Sequence, residues 1–226
     1  MSKTNVALES APGDTRTRIL RATQLLLYER GSADFTVADV AARAEVSRGT
    51  VFNQFGSKHG LIEAVTEAVY AGYEAILEKA LADKKTPVPV LVRKLFEVMG
   101  SAIEEGGSFY RTVFREISRI GVGLEEGGPS EQARRRVVDL VVHLLTRGQA
   151  RGELDPKLDP EDLAATFDGL VFGTLTHWLY ADPSRSLRER MLAASRIFLG
   201  PVAVLGAEQW AGPEPDLSVE GDFGPN

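Results

Sequence analysis

The chain has 226 residues, 43% of them hydrophobic, with a formal net charge of −6 and no cysteine. That length fits one large domain or two smaller ones, and the missing cysteines exclude disulfides, thiolate zinc sites and cysteine nucleophiles. Residues 1–60 hold eight Lys/Arg against six Asp/Glu, or +2, which leaves −8 for the remainder, so a nucleic-acid site belongs near the N-terminus with an acidic body behind it.

No apolar run is long enough to span a bilayer, and MSKTNVALESAPGD lacks the apolar centre of a signal peptide. The expectation is a soluble, cytoplasmic protein that does not enter membranes. Residues 1–13 read as a flexible arm. From Asp14 to Arg30 the pattern is helical, with Ile19, Thr23 and Leu26 on one line, Asp14 or Thr15 as cap and Gly31 as stop. Thr36 is the next cap, and Asp39 at the third helical position approximates a capping box. Val37, Val40, Ala41 and Ala44 then form one stripe. After Glu45-Val46, Ser47 caps a second short helix with Val51, Phe52 and Phe55, and Gly56 breaks it. Ser57 caps a longer helix that runs to about Lys79 and carries Ile62, Val65, Val69, Tyr73 and Ile76 in period.

The remainder is also helical. Val88 to Ile103 is largely apolar and ends at Gly106-Gly107; Tyr110, Val113, Phe114 and Ile117 repeat at helical spacing. Gly121 to Pro129 reads as a flexible acidic connection. Glu131 to Gly148 is a strong helix, and Asp159-Pro160-Glu161-Asp162 starts another that runs to about Tyr180. Pro183-Ser184 begins the last, with Leu187, Met191, Ala194 and Phe198 on a face. From Gly206 onward there is Gly, Pro and acid without lysine or arginine, which reads as a disordered tail. The predicted fold class is all-α. Its domains are an arm (1–13), a DNA-binding domain (14–74, with its motif at 36–55), a ligand-binding and dimerisation domain (75–205) and an acidic tail (206–226).

Two short helices joined at Glu45-Val46 match a helix-turn-helix, whose second helix enters the DNA major groove. The residue types suit that task. Ser47 offers a hydroxyl and a helix N-terminus to a phosphate. Arg48 has the fork that reaches guanine O6 and N7 together. Gly49 leaves the backbone bare for close approach. Thr50 suits a phosphate or a thymine methyl, while Asn53 and Gln54 suit adenine or the backbone. Lys58 is placed to neutralise a phosphate. Phe52 and Phe55 are expected to fasten this helix from behind.

The region from about Thr15 to Val69 strongly resembles the DNA-binding domain of the TetR (tetracycline repressor) family. The resemblance rests on Ile19-Leu20 with Ala22, Gly31, Phe35 to Ala41, Ala44 with Val46-Ser47, Gly49 to Phe52, Phe55, Ser57-Lys58 and Leu61. It implies a homodimeric all-helical transcription factor, usually a repressor, with a small-molecule effector in the C-terminal domain and a dimer interface built from the last two long helices. Carried over, Thr36, Ser47, Arg48, Thr50 and Lys58 become DNA-contact positions. The family commonly has Tyr where this chain has Phe52, an aromatic or His at Asn53 and Gln54, and an acid where His59-Gly60 stands.

Candidate ligand-binding residues are the bulky and polar ones within the apolar helices: Phe96, Met99, Phe114, His143, Phe167, His177 and Trp178, with Phe109, Tyr110 and Phe172 beside them. Gly169 and Gly173 stand four apart and would let another helix approach, at a dimer contact or to make room for ligand. The expected partners are a double-stranded DNA operator, a small-molecule effector and a second copy of the chain; no cofactor, metal or catalytic residue is expected. A hydrolase using His143 or His177 is disfavoured, since the chain has no nucleophile elbow, phosphate loop or metal-spaced His set. The alternative function is a ligand-independent activator or architectural DNA-binding dimer.

Overall fold

The computed structural model describes residues 14–120, 128–180, 184–204 and 212–218. The expected arm at 1–13 and most of the acidic connection after Gly121 lie outside the described residues. Nine helices are described: α1 (Thr15–Arg30), α2 (Val37–Arg43), α3 (Arg48–Phe55), α4 (Lys58–Ala82), α5 (Val88–Glu105), α6 (Gly107–Ile120), α7 (Pro129–Ala150), α8 (Pro160–Tyr180) and α9 (Leu187–Val202). One isolated antiparallel bridge, Leu154 with Ala203, is the sole extended pairing among the described residues.

The caps explain most boundaries. The Thr36 and Asp39 pair forms a full capping box at α2: Asp39 N–H donates to Thr36 Oγ1 at 3.2 Å and Thr36 N–H to Asp39 Oδ2 at 2.8 Å. The Thr36 N–H bond first, with the Thr36 hydroxyl and the Arg30 guanidinium, holds the Asp39 carboxyl below its ordinary range. Gly31 takes the left-handed conformation that closes α1, its N–H on Leu27 O at 3.0 Å. At the start of α1, Asp14 occupies the cap position but makes no side-chain cap bond, contrary to expectation. The last helix starts at Leu187 with Ser186 as its cap, later than the expected start at Pro183-Ser184. Pro183 lies outside the described residues.

Helices α1 to α4 form the N-terminal unit around Ile19, Leu27, Val40, Val51 and Leu61, all at 0–1% exposure. In the body, α4 packs on α7, α5 on α9 and α8 on both α7 and α9. Gly100 lets the backbones of α5 and α9 come close: a Cβ there would lie 2.8 Å from the Cα of Arg188. Arg147 of α7 donates to Leu81 O at 2.9 Å and Ala80 O at 3.2 Å, closing the C-terminal end of α4.

The tail departs from expectation. Residues 212–218 pack on the body: Leu217 is 2% exposed and joins the hydrophobic core, and Glu214 pairs with Arg93 at 2.6 Å. Composition alone argued for disorder; a groove formed by other helices supplies the burial that the segment lacks by itself.

Candidate nucleic-acid interface and sensor cavity

Helix α3 is held from behind and open in front. Val51 (1% exposed) and Phe55 (9%) turn inward at i, i+4. Arg48, Gly49, Phe52 and Asn53 occupy the opposite, exposed face, with Gln54 exposed beside them. Phe52 is 50% exposed, so it does not fasten the helix as expected. One residue past Val51 is a turn of about 100°, which carries its ring out of the core.

The turn before α3 is strained and clamped. Glu45 takes a positive φ of 54°, uncommon for a residue with a side chain. Arg18 of α1 donates to Ala44 O at 2.6 Å and Glu45 O at 3.1 Å, fixing that turn. Arg16, two residues earlier, donates to Gln54 O at 3.2 Å and lies 4.6 Å from the Phe55 ring centre. These two arginines set the angle of α3, and no local sequence signal marks them.

Ser47 caps α3 through a 3.0 Å bond from Thr50 N–H, and the two hydroxyls meet at 2.9 Å. Thr36 lies exposed at the N-terminus of α2, and Lys58 opens α4 with its Nζ 4.8 Å from the Phe35 ring centre. Among the described residues Arg48 has no ion pair or hydrogen bond. The predicted DNA-contact residues thus occupy the exposed N-termini of α2, α3 and α4 and the outer face of α3. That arrangement presents free backbone N–H groups, hydroxyls, amides and two cations.

The α3–α4 junction explains Gly60. Ser57 Oγ accepts from Gly60 N–H at 3.1 Å, and a Cβ on Gly60 would stand 2.0 Å from the backbone oxygen of Phe55. Only glycine lets α4 begin that close to the end of α3. Gly60→Ala is expected to destabilise the N-terminal unit by about 1–3 kcal/mol through overpacking. A thermal melt of the full chain reads this; an unchanged melting temperature would refute the close fit.

Behind this unit, α4 also lines a partly enclosed cavity of about 50 Å³. Tyr70 and Tyr73 come from α4, Met99 and Ile103 from α5, Phe114 from α6 and Val137, Val138 and Val141 from α7. Ala164, Phe167, Asp168, Val171, Phe172 and Leu175 come from α8. Of the predicted ligand residues, Met99, Phe114 and Phe167 line it, and Phe172 with them. Phe96, His143, His177 and Trp178 do not, and their assignment to the pocket is corrected. Phe96 sits one layer behind, its ring 4.8 Å from that of Phe167. His143 is exposed on α7, turned away because Val141, Leu144 and Leu145 face inward. His177 is exposed on α8, its Nδ1 3.1 Å from Arg190 Nη1. Trp178 is buried elsewhere, donating to Arg185 O at 3.0 Å under the Arg111 guanidinium.

Tyr70, Tyr73 and Asp168 were not foreseen as pocket residues. Asp168 is the charged residue of this lining, paired with Arg134 at 3.2 Å. Burial raises its carboxyl above the usual range against the pull of Arg134. Burial, helped by the Asp168 charge, pushes the Tyr70 phenol up to about 12.

A second, open groove of about 500 Å³ runs along α8 and α9, lined by Gly169, Leu170, Gly173, Thr174, His177, Arg190 and Ile197 among others. A Cβ at Gly169 or Gly173 would meet nothing within 4 Å, so no close approach among the described residues uses these glycines. Ile197 is 67% exposed there.

Among the described residues, a helix-turn-helix at one end of a helical body is the layout of helix-turn-helix transcriptional regulators. The model for "Bacterial regulatory proteins, tetR family" matches residues 19–65. The HTH-type transcriptional regulator TtgR of Pseudomonas putida is 24% identical over 180 residues, 77% of this chain and 84% of that one. Among solved structures, the TetR-family transcriptional repressor FadR of Thermus thermophilus, in complex with lauroyl-CoA, superposes with a TM-score of 0.65 at 26% identity, covering 81% of this chain and 93% of FadR. SmeT, the repressor of the Stenotrophomonas maltophilia multidrug efflux pump SmeDEF, shares the fold with a TM-score of 0.69 at 23% identity, over 90% and 96% of the two chains. Residues 19–65 thus carry a TetR-family DNA-binding domain, and over most of its length the chain is similar to transcriptional regulators of that family.

Proposed function

We propose that the protein is a homodimeric repressor that binds a palindromic operator through α3 and leaves it when a small, largely apolar ligand enters the cavity. The observation that carries this reading is the outward face of α3, where Arg48, Phe52 and Asn53 are exposed and Arg48 has no partner among the described residues. An unpaired guanidinium beside amides and a helix N-terminus matches the donor and acceptor pattern of the major groove. Selection of duplexes from a random pool tests it: an enriched palindrome is expected, and failure to enrich any sequence refutes it.

Phe52 has no polar atom for a phosphate. In the major groove its counterpart is the thymine methyl. Replacing single thymines by uracil in the selected operator is expected to weaken binding by about four-fold at the contacted position, the worth of one buried methyl. The same exchange leaves Phe52→Ala unaffected. Equal sensitivity in both proteins excludes the contact.

Release follows from one shared helix. α4 begins at the DNA-facing Lys58 and reaches the cavity at Tyr70 and Tyr73, about 18–22 Å along its axis. Drug-sized ligands occupy pockets of roughly 300–1,000 Å³, far more than the about 50 Å³ present. Entry must therefore displace lining helices, and a ligand releases DNA by binding better to a conformation with wrongly spaced recognition helices. FadR with lauroyl-CoA and SmeT with triclosan support an effector with a long or aromatic apolar body. The smallness of the cavity favours a second reading, a ligand-independent activator or architectural dimer; operator affinity unchanged by every apolar ligand tried would select it. Either function belongs in the cytoplasm, where the DNA is.

A further inference from the structure

The described part of the C-terminal tail is docked in a way that the repressor reading does not use. From Gly206 on, the chain holds five acids and no lysine or arginine. Residues 212–218, GPEPDLS, cross from the second turn of α5 to the last turn of α4. Glu214 Oε1 meets Arg93 Nη2 of α5 at 2.6 Å, and Lys79 Nζ of α4 donates to Ser218 O. Between these ends Pro215 is buried and Leu217 is 2% exposed within the core cluster.

The segment is shaped for this seat. Asp216 accepts from Ser218 N–H at 2.9 Å and Ser218 Oγ at 2.6 Å, closing a tight local turn. Those bonds, with Lys79 and Lys94 nearby, hold the Asp216 carboxyl below its ordinary range. Two prolines restrict the segment before it binds, which lowers the entropy lost on docking. The seat is correspondingly basic: Lys79, Arg93 and Lys94, tempered by Glu97, which pairs with Lys94 at 3.1 Å and lies 3.9 Å from Arg93. An acidic segment whose leucine follows two prolines, seated on a basic rim with an apolar floor, is a peptide-recognition arrangement, filled here in cis.

Its position gives it a consequence. Lys79 lies on the helix that carries the cavity residue Tyr73 six positions earlier and Lys58 at its head. A segment tying the rear of α4 to α5 narrows the orientations that α4 samples. We propose that the α4–α5 groove is a docking site for an acidic segment with a leucine preceded by two prolines, that its occupant is residues 212–218 of the same chain, and that docking holds α4 in its operator-binding orientation. The last clause rests on the proposed DNA-binding function; the first two do not.

The test uses a chain ending at Ala211 and a fluorescent peptide of residues 212–218. The truncated chain keeps its helical circular dichroism and binds the peptide in the micromolar range, whereas the full chain, its groove filled, does not. Arg93→Glu in the truncated chain abolishes peptide binding, and a peptide carrying Glu214→Arg restores it. Truncation weakens operator binding about five-fold, the lower end of ordinary coupling, and saturating peptide reverses the loss. Peptide uptake by the full chain equal to that of the truncated one, or none by either, overturns the docking site. Operator affinity indifferent to truncation overturns the coupling. If the truncated chain does not fold, the full chain with Arg93→Glu, with Glu214→Arg and with both decides: the double variant recovers operator affinity that each single one loses, and no recovery overturns the pairing. Absence of operator binding in every form refutes the repressor reading while leaving the peptide result to judge the groove.

Discussion

Replacing Arg48 by alanine is expected to erase most of the discrimination between operator and unrelated DNA while leaving the fold intact. Arg48 is exposed on the first turn of α3 and has no partner to lose among the described residues, so stability should not change. One bidentate arginine–guanine contact is worth about 1–3 kcal/mol of discrimination. A dimer loses two, and operator affinity should fall by about two orders of magnitude or more with non-specific binding little changed. Lys58→Ala should behave differently. Its ammonium sits at the head of α4 over the Phe35 ring, and its proposed role is to neutralise a phosphate rather than to read a base. All duplexes should weaken alike, and the slope of log affinity against log salt should shrink by about one per subunit. Titrations of both variants against operator and scrambled duplex at several salt concentrations separate the two roles; a uniform loss for Arg48→Ala removes it from base reading.

Ile197→Asp is the second large effect expected. Ile197 is 67% exposed on α9, in the open groove with Gly169 and Gly173 of α8. An isoleucine so exposed, beside two glycines with nothing within 4 Å of a built Cβ, fits a second copy of α8 and α9 laid across the groove. A carboxylate there places a charge in the apolar centre of that contact from both subunits at once. Sedimentation should show a monomer. Operator affinity should drop by about 10²–10³-fold, because two linked half-site contacts become independent ones. A monomeric variant that keeps full operator affinity contradicts the dimeric mode of binding, and a dimer that survives the substitution places the interface elsewhere.

Much of this was legible because helical periodicity reports which residues face inward. Val51 with Phe55, and Val137, Val138 and Val141, announce their stripes. Thr36 with Asp39, Ser47 and Ser57 announce the caps, since a side-chain oxygen three residues before a free N–H is a local event. The same periodicity, applied strictly, turns Phe52 and His143 outward; reading aromatic or polar character as a reason for burial or ligand contact overrode it. Other features are tertiary. Whether Phe96 or Met99 faces the cavity depends on how five helices meet, and both belong to the apolar α5. Arg16 and Arg18 act on α3 and its turn from 26 or more positions away. His59-Gly60 stands where the resemblance leads one to expect an acid, and the reason for Gly60 is tertiary: Phe55 O packs against it at the α3–α4 junction. Leu217 was hidden by composition: one leucine among prolines and acids carries no periodic signal, and its burial depends on a groove built by residues more than a hundred positions earlier.

The central claim is that α3 reads DNA sequence, and the most direct measurement of it is fluorescence polarisation of the full chain against a duplex from the region upstream of its own gene, beside a scrambled duplex of equal length. The account predicts two chains per operator, tighter binding to the upstream duplex than to the scrambled one by about 10³-fold or more, and a steep fall of affinity with salt. Equal affinity for the two duplexes, with the preference also absent for duplexes selected from a random pool, would contradict it.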